Sequence, residues 1–428
     1  MLPTKPNNPS RRGKILSLLL IPLFSLFLLW CVARSADDSL SQERTILGNE
    51  TFTDAFPPEL QTKKLGLILN HTSVLAEGKL LVNALQERGI RIHAIFSPEH
   101  GFKGKKEAGA NVQDDRWNNI KIFSLYGKTK KPTADQIQII DAFVYDIQDV
   151  GTRFYTYITT LKYILEAAAE AEKSVYVLDR PNPVGGQIVE GPLLLPEYES
   201  FYGSLPIPVR YGLTVGELAL MMKGEGWVPP QVDLHVINMK NWKRRFFWED
   251  TRLGWISTSP NIPTPETAII YPGTGLLGAL NLNHGLGTLN PFLQFGTPWL
   301  DTKAIIQKLR GGSEFEVELE SLTYTPRSLP GKTLHPPFEN RICQGILVRL
   351  VQRDRFLSIR FTLELIKAIK ELHPGKIVVY RDSLNRHFGN QLLERYILDK
   401  LSYEELLREL EKDERFFLEK RKKYLLYD

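Results

Sequence analysis

Residues 142–180, "AFVYDIQDVGTRFYTYITTLKYILEAAAEAEKSVYVLDR", decide the fold. The segment opens with an apolar run, 142–148, of strand length. Residues 155–173 then read as a long helix, with Phe154, Tyr157, Ile158 and Leu161 at helical spacing. A second apolar run, 174–180, follows and stops at Asp-Arg. Strand, helix and strand in this order form a β-α-β unit, which implies parallel strands joined by a crossover helix.

The same rhythm extends in both directions. On the N-terminal side come strand "KLGLILN" (64–70), helix "GKLLVNALQERG" (78–89, stopping on Gly89), strand "IRIHAIF" (90–96), strand "KIFSLYG" (121–127) and a short capped helix, "TADQIQIID" (133–141). On the C-terminal side come helix "TVGELALMMKGEG" (214–226) and strand "VDLHVIN" (232–238). The expected fold class is therefore α/β: a Rossmann-like, mostly parallel sheet with helices on both faces. From about Pro260 the rhythm changes to Pro- and Gly-rich segments. A β pair follows, "FEVELESLTYT" (315–325) and "CQGILVRLV" (343–351), and then helices. This predicts a smaller α+β C-terminal domain. The expected organisation is a leader at 1–36, a polar linker at 37–60, a Rossmann-like domain at 61–258 and the C-terminal domain at 259–428.

The net charge of +5 resides in the leader. Residues 1–35 hold five basic groups (Lys5, Arg11, Arg12, Lys14, Arg34) and no acid. Beyond them 54 − 5 = 49 basic residues face 49 acidic ones. The body is neutral and lacks the basic footprint of a nucleic-acid binder; "KRRFFW" (243–248) is too short to supply one. Basic residues, the apolar stretch Ile15–Val32 and the small residues of "VARSA" (32–36) have the layout of a secretory signal. At roughly 18 residues the apolar stretch also reaches the lower edge of a membrane span, so an uncleaved anchor is the alternative. Cys31 raises a lipoprotein reading, which the bulky Trp30 before it disfavours. Each reading places the body outside the cytoplasm. Cys31 and Cys343 are the only cysteines, so no disulfide forms within a processed chain.

Four strands end in chemistry-bearing residues: Asn70-His71-Thr72, Ser97-Pro98-Glu99-His100-Gly101, Asp146 through Arg153, and Asp179-Arg180-Pro181-Asn182. Open α/β sheets bind ligands beyond the carboxyl ends of their strands. Turn chemistry accounts for Asn, Asp, Gly and Pro there, but not for the repeated Glu, His and Arg. Ser-Pro ends its strand because proline cannot donate to the ladder. Glu99 is thereby presented at the rim, where a carboxyl suits general acid–base work. Gly101 permits a tight turn or a close ligand approach. Tyr155 falls off the apolar stripe of its helix and reads equally as core packing or as a sugar-contacting ring.

Other chemistries lack their marks. No G-x-G-x-x-G, P-loop, G-x-S-x-G or H-E-x-x-H is present, and no cofactor is expected. His71, His100 and Asp146 are imaginable metal ligands without a spacing signature. His93 and His235 lie inside strands.

Six phrases in order carry a resemblance: "SPEHGFKG", "SLYG", "YDIQDVGTRFYTYITTL", "LDRPNPVGG", "IPVRYGLTVGELA" and "SPNIPT…TAIIYPGTG". From about residue 64 to the final "KYLLYD" the chain resembles the exo-acting β-N-acetylmuramidases of the NamZ type, formerly a domain of unknown function. The resemblance implies a cleft between a Rossmann-like domain and a smaller C-terminal domain. It implies hydrolysis of the β-glycosidic bond of a non-reducing-end N-acetylmuramic acid in peptidoglycan fragments, without a cofactor. Glu99 is then the catalytic acid and Asp146 its partner, with Asp179 behind it. Asn70, His100, Arg153, Tyr155, Asp179, Arg180, Asn182, Asn261 and Asn281 are the implied substrate contacts. The substrate's own acetamido group can replace a second carboxylate in some glycosidases.

One loop departs from the family pattern. In 276–293, "LLGALNLNHGLGTLNPFL", Gly278 and His284 stand where the family has glutamates, Leu286 where it has arginine, and Leu293 where it has a further glutamate. An exported glycosidase is the main expectation; a non-catalytic, membrane-tethered glycan-binding protein of the same fold is the alternative.

Overall fold

The computed structural model describes Met1 and residues 43–107, 109, 113–310 and 315–428. The leader lies outside them. No helix among the described residues is long and apolar enough to cross a membrane. Thr45–Asp428 form one compact unit.

The N-terminal half begins with helix α1 (Gly48–Asp54) and continues β1 (Leu65–Leu69), α2 (Leu81–Glu87), β2 (Ile92–Ser97), β3 (Asp115–Trp117), β4 (Ile120–Ser124), α3 (Ala134–Gln138), β5 (Ala142–Asp146), α4 (Tyr157–Glu170), β6 (Ser174–Leu178), α5 (Val215–Gly224) and β7 (Asp233–Ile237). One seven-stranded sheet has the order β3-β4-β2-β1-β5-β6-β7. Only the pairing of β3 with β4 is antiparallel; the others are parallel. β1 and β5 are buried at every position, as strands covered on both faces must be. The chain winds from β1 towards β2 and β4 on one side and from β5 towards β6 and β7 on the other. The winding therefore reverses between β1 and β5, where Leu69 pairs with Asp146. Crevices form at such a reversal.

The C-terminal half contains α6 (Pro265–Thr274), β8 (Gln294–Thr297), α7 (Thr302–Arg310), β9 (Val317–Tyr324), β10 (Cys343–Leu350), α8 (Ser358–Leu372), α9 (Arg381–Phe388), α10 (Leu392–Ile397) and α11 (Tyr403–Arg421). Its antiparallel sheet has the order β8-β10-β9. The expected β pair is β9–β10; β8, a four-residue strand in a Gly- and Pro-rich stretch, carries no pattern long enough to read.

Two cores sandwich the large sheet. Leu65, Leu67 and Leu69 face α1 and α2 together with Ile95, Val144 and Tyr176. Ile68, Ala94, Phe96 and Phe143 face α4 and α5, and this core runs unbroken into α6, α8 and α11 of the C-terminal half. The alternation follows from the two-residue period of a strand. Each fully buried Leu or Ile contributes about 1.5–3 kcal/mol.

The linker expectation is corrected from Thr45 onward. The Gly48 amide donates to Asp179 O at 2.9 Å, and Phe52 is buried in the α1–α2 core. A Cβ on Gly48 would meet the Asp179 backbone at 2.3 Å, so only glycine lets α1 approach β6 this closely. Scattered apolar residues between Pro57, Pro58 and polar neighbours hid this helix from pattern reading.

Candidate active site

The β2 end is built as the Ser-Pro stop suggests. Beyond Ser97 the chain turns, with the Gly101 amide donating to Pro98 O at 3.1 Å. His100 and Gly101 both take left-handed φ, 69° and 74°. His100 is stabilised there by Nδ1 contacting Lys106 O at 2.7 Å. It therefore braces the loop that presents Glu99.

Glu99 is buried and well supported. Its Oε2 accepts from Thr156 Oγ1 at 2.7 Å, at the start of α4. Its Oε1 accepts from the Gly109 amide at 3.0 Å. The Tyr126 hydroxyl is a third donor; burial first, and then the Glu99 charge, push that phenol far above its usual range. Tyr202 is the next hydroxyl outward, bonded to Tyr126. Its ring lies on His387, 5.7 Å away and 20° from parallel, and stays 42% exposed at the surface.

Around Glu99 the two halves of the chain contribute an aromatic lining. Tyr155 stands edge-on to Tyr157 at 4.8 Å and to Tyr271 at 6.2 Å. Tyr271 in turn packs on Phe154 and Phe292 at 5.2 and 4.6 Å. Burial is the main cause that raises the Tyr157 and Tyr271 phenols, and both also feel the Glu99 charge. The Tyr157 hydroxyl donates to Thr258 O at 2.9 Å. Beside it, Asn70 Nδ2, the Tyr155 hydroxyl and Thr258 Oγ1 are buried without a partner of good geometry. Tyr155 lies beside Thr258, Ser259 and Tyr157, and Asn70 beside Tyr157, so these groups form one buried polar cluster.

Asp149 belongs to the same cluster, and sequence reading missed it. Its charge acts on Tyr155 and Tyr271. Its Oδ2 accepts from the Gly151 amide at 2.7 Å and from the Tyr211 hydroxyl, while its Oδ1 is buried and unpartnered. Burial pushes its carboxyl up to about 6, against the pull of Tyr211 and Gly151. The available signal was its place in "YDIQDVG", six residues before Tyr155; Asp146, at the strand end itself, drew the attention instead.

Asp146 is the opposite case. Its Oδ1 accepts from Arg180 Nε at 2.5 Å; its Oδ2 accepts from Arg180 Nη2 and from Asn49 Nδ2, both at 3.1 Å. The pair is fully enclosed and lies towards α1.

Other expected contacts are internal struts. Arg153, buried, donates to Pro192 O, Ile207 O and His387 O at 2.7, 2.6 and 3.0 Å; burial lowers its guanidinium to about 9. Asp179 accepts from Thr214 Oγ1, the Gly216 amide, the Arg180 amide and the Tyr427 hydroxyl, and burial raises its carboxyl to about 7. Asn182 donates to Leu213 O at 2.9 Å and accepts from the Val184 amide at 3.1 Å. Asn281 donates to Lys376 O at 3.0 Å and accepts from the Val378 amide at 2.8 Å. Asn261 donates to Lys332 O and Thr333 Oγ1, tying in a loop whose Gly331 amide donates to Glu107. Thus Glu99, Asn70 and Tyr155 fall in one buried cluster around Tyr157, while Arg153, Asp179, Asn182, Asn261 and Asn281 are bonded to other parts of the chain.

The metal reading finds no support in the geometry: no cluster of three or more His, Cys, Asp or Glu suited to a metal occurs among the described residues. His71 instead donates from Nε2 to Ser257 O at 2.6 Å, since a carbonyl only accepts. Burial lowers its pKa and keeps it neutral at physiological pH. In the divergent loop, His284 is likewise held neutral, its pKa lowered to about 4 by burial. Its ring lies 2.7 Å from where a Gly278 Cβ would be, so the two replacements are coupled: the imidazole takes space a side chain at 278 would need.

Comparison with known proteins agrees with this architecture. Residues 65–266 match the N-terminal domain of exo-β-N-acetylmuramidase NamZ, and residues 269–427 its C-terminal domain. The peptidoglycan β-N-acetylmuramidase NamZ of Bacillus subtilis strain 168 is 37% identical over 400 residues, 92% of this chain and 94% of that protein. Two crystal structures of DUF1343 family proteins from Bacteroides fragilis superpose with TM-scores of 0.82 and 0.74 at 33% and 32% identity, each covering 90% of this chain and 99% of the other. With both domains matched along nearly their whole length, the chain belongs to the exo-β-N-acetylmuramidase NamZ family of glycosidases.

Proposed function

We propose that this protein is a peptidoglycan exo-β-N-acetylmuramidase that works with Glu99 as acid–base catalyst and Asp149 as the second carboxylate. The observation that carries the proposal is the contrast in bonding inside one aromatic cluster, where Tyr271 feels both the Glu99 and the Asp149 charge. Glu99 is fixed by Thr156, Gly109 and Tyr126, whereas one buried oxygen of Asp149 lacks a well-aligned donor, although the Val150 amide lies near the carboxylate. Glycosidases use two carboxyl groups around an oxocarbenium-like transition state. Glu99 gives its proton to the glycosidic oxygen as the bond to the anomeric carbon breaks. Asp149 faces the positive charge that develops, in a low-dielectric setting where such an interaction is strong. Water then adds to the anomeric carbon and returns a proton to Glu99. Asn70, Tyr155 and Thr258 supply the hydrogen bonds that hold the sugar.

Action outside the cytoplasm is part of the proposal. It is supported by the basic, apolar and small-residue succession of residues 1–36 and by a substrate that is itself a wall polymer.

The test is Glu99→Gln assayed for free N-acetylmuramic acid from a muramyl-glucosamine disaccharide. The expected loss of kcat is about 10²–10⁴-fold, with the melting temperature near that of the wild type. Turnover within a factor of three of the wild type would remove Glu99 from the chemistry.

A further inference from the structure

A concavity lies beyond the ends of β1, β5 and β6, and its lining includes neither Glu99 nor Tyr155 nor Tyr271. It encloses about 190 Å³ and is lined by Thr72, Val74, Leu75, Gln148, Arg180, Trp248 and Trp255, among others. It falls below the range of about 300–1,000 Å³ usual for drug-sized ligands. The space suits one sugar ring and not two.

Its polar equipment is specific. Gln148 is buried. Its Nε2 donates to Asp149 O at 2.9 Å and to Pro181 O at 2.8 Å. Both partners are carbonyls, so the amide orientation is fixed and Oε1 is the atom left over. That oxygen is buried and has no donor. Arg180 follows at the adjacent strand end, next to Pro181. It spends Nε and Nη2 on Asp146 and Val74 O, which leaves Nη1 outside those bonds. The ion pair cancels its charge, so the pocket favours a neutral ligand over a carboxylate, which would also abut Gln148 Oε1. The walls are two indoles, Trp248 and Trp255, set edge-to-face at 5.0 Å, with Leu47, Val74, Leu75 and Ile256.

A ligand must therefore bring one hydrogen-bond donor for Gln148, one acceptor for Arg180 and apolar faces for the indoles. A secondary amide carries donor and acceptor together. We propose that this pocket binds a single 2-acetamido sugar residue: its amide N–H to Gln148 Oε1, its carbonyl to Arg180, and its methyl and ring faces against Trp248 and Trp255. It is a sugar site additional to the Glu99 hollow. It suits a neighbouring residue of a glycan or a released monosaccharide.

Saturation-transfer NMR on the full-length protein with N-acetylglucosamine tests it, since no turnover is involved. Transfer to the acetyl methyl is expected, with glucose at least tenfold weaker. Glu99→Gln keeps the signal. Ala76→Trp, placed at the exposed mouth of the pocket, weakens binding at least tenfold and leaves the buried shell untouched. Absence of transfer, glucose binding as well as N-acetylglucosamine, an unchanged signal in Ala76→Trp, or its loss in Glu99→Gln would each overturn the assignment. None of these outcomes depends on whether Glu99 is catalytic.

Discussion

The end of β5 holds two buried aspartates, three residues apart in sequence, with opposite bonding. Asp146 faces Arg180 and Asn49 and has a donor on every accessible side. Asp149 faces phenol rings and has one oxygen bare. A carboxylate sealed against a buried guanidinium is architecture. An undersatisfied one in a hollow is stored chemical potential, because burying a charge without full compensation costs stability that function must justify. The same division separates Asn70 and Tyr155, whose polar atoms lack a well-aligned partner, from Asn182 and Asn281, whose amides are bonded on both sides.

The largest expected effect that sharpens this comparison is the loss of turnover in Glu99→Gln. Next in size is the stability of the Asp146 pair. Arg180→Met strands a buried carboxylate and is expected to destabilise by about 3–5 kcal/mol, read as a drop in the denaturation midpoint. A change under 1 kcal/mol would show that the pair is not the strut described.

Asp149→Asn works in the other direction. The folded-state pKa of Asp149, about 6, lies above the ordinary 3.8. Its contribution to stability is therefore complete below about pH 3.8 and is lost as pH rises through about 6. Asparagine has no such titration. The variant should gain on the wild type between pH 4 and pH 7, by an amount on the order of 2–3 kcal/mol, while losing activity. Thermal melts across that range decide it; a parallel pH dependence in both proteins would mean that Asp149 is not a strained acid.

The smallest expected effect is at Tyr202. Its exposed ring is a stacking surface beside the Glu99–Tyr126 hydroxyl chain. Removing such a contact is worth about 0.5–1.5 kcal/mol, so Tyr202→Ala should raise KM roughly three- to tenfold with kcat little changed, and Tyr202→Phe should keep KM. An unchanged KM in Tyr202→Ala would take this ring out of the site.

Much of this was legible beforehand. Short apolar runs and helical spacing gave the β-α-β order, because buried parallel strands read as such runs; the reversal between β1 and β5 is a matter of strand order, which no local pattern carries. Glu99 was legible because Ser-Pro stops a strand and leaves the next residues at the rim. Asp146 and Asp149 could not be told apart in sequence. Which one meets an arginine depends on β6 bringing Arg180 alongside, and which one meets phenols depends on Tyr211 and Tyr271, far away in the chain. Arg153 was misleading for a related reason: its guanidinium serves three backbone carbonyls from distant loops, and no local pattern announces such a clamp. Tyr126 and Tyr271 lay inside the quoted phrases "SLYG" and "YPGTG", but an aromatic residue next to a glycine gives no sign of whether it faces core or cleft.

The most direct measurement is a side-by-side assay of Asp149→Asn and Asp146→Asn for release of N-acetylmuramic acid from the disaccharide, each normalised to its folded fraction. The account predicts that Asp149→Asn loses at least a hundredfold in kcat per folded molecule and that Asp146→Asn stays within tenfold of the wild type. The reverse ranking would place the reacting pair on the arginine side of the sheet and contradict it.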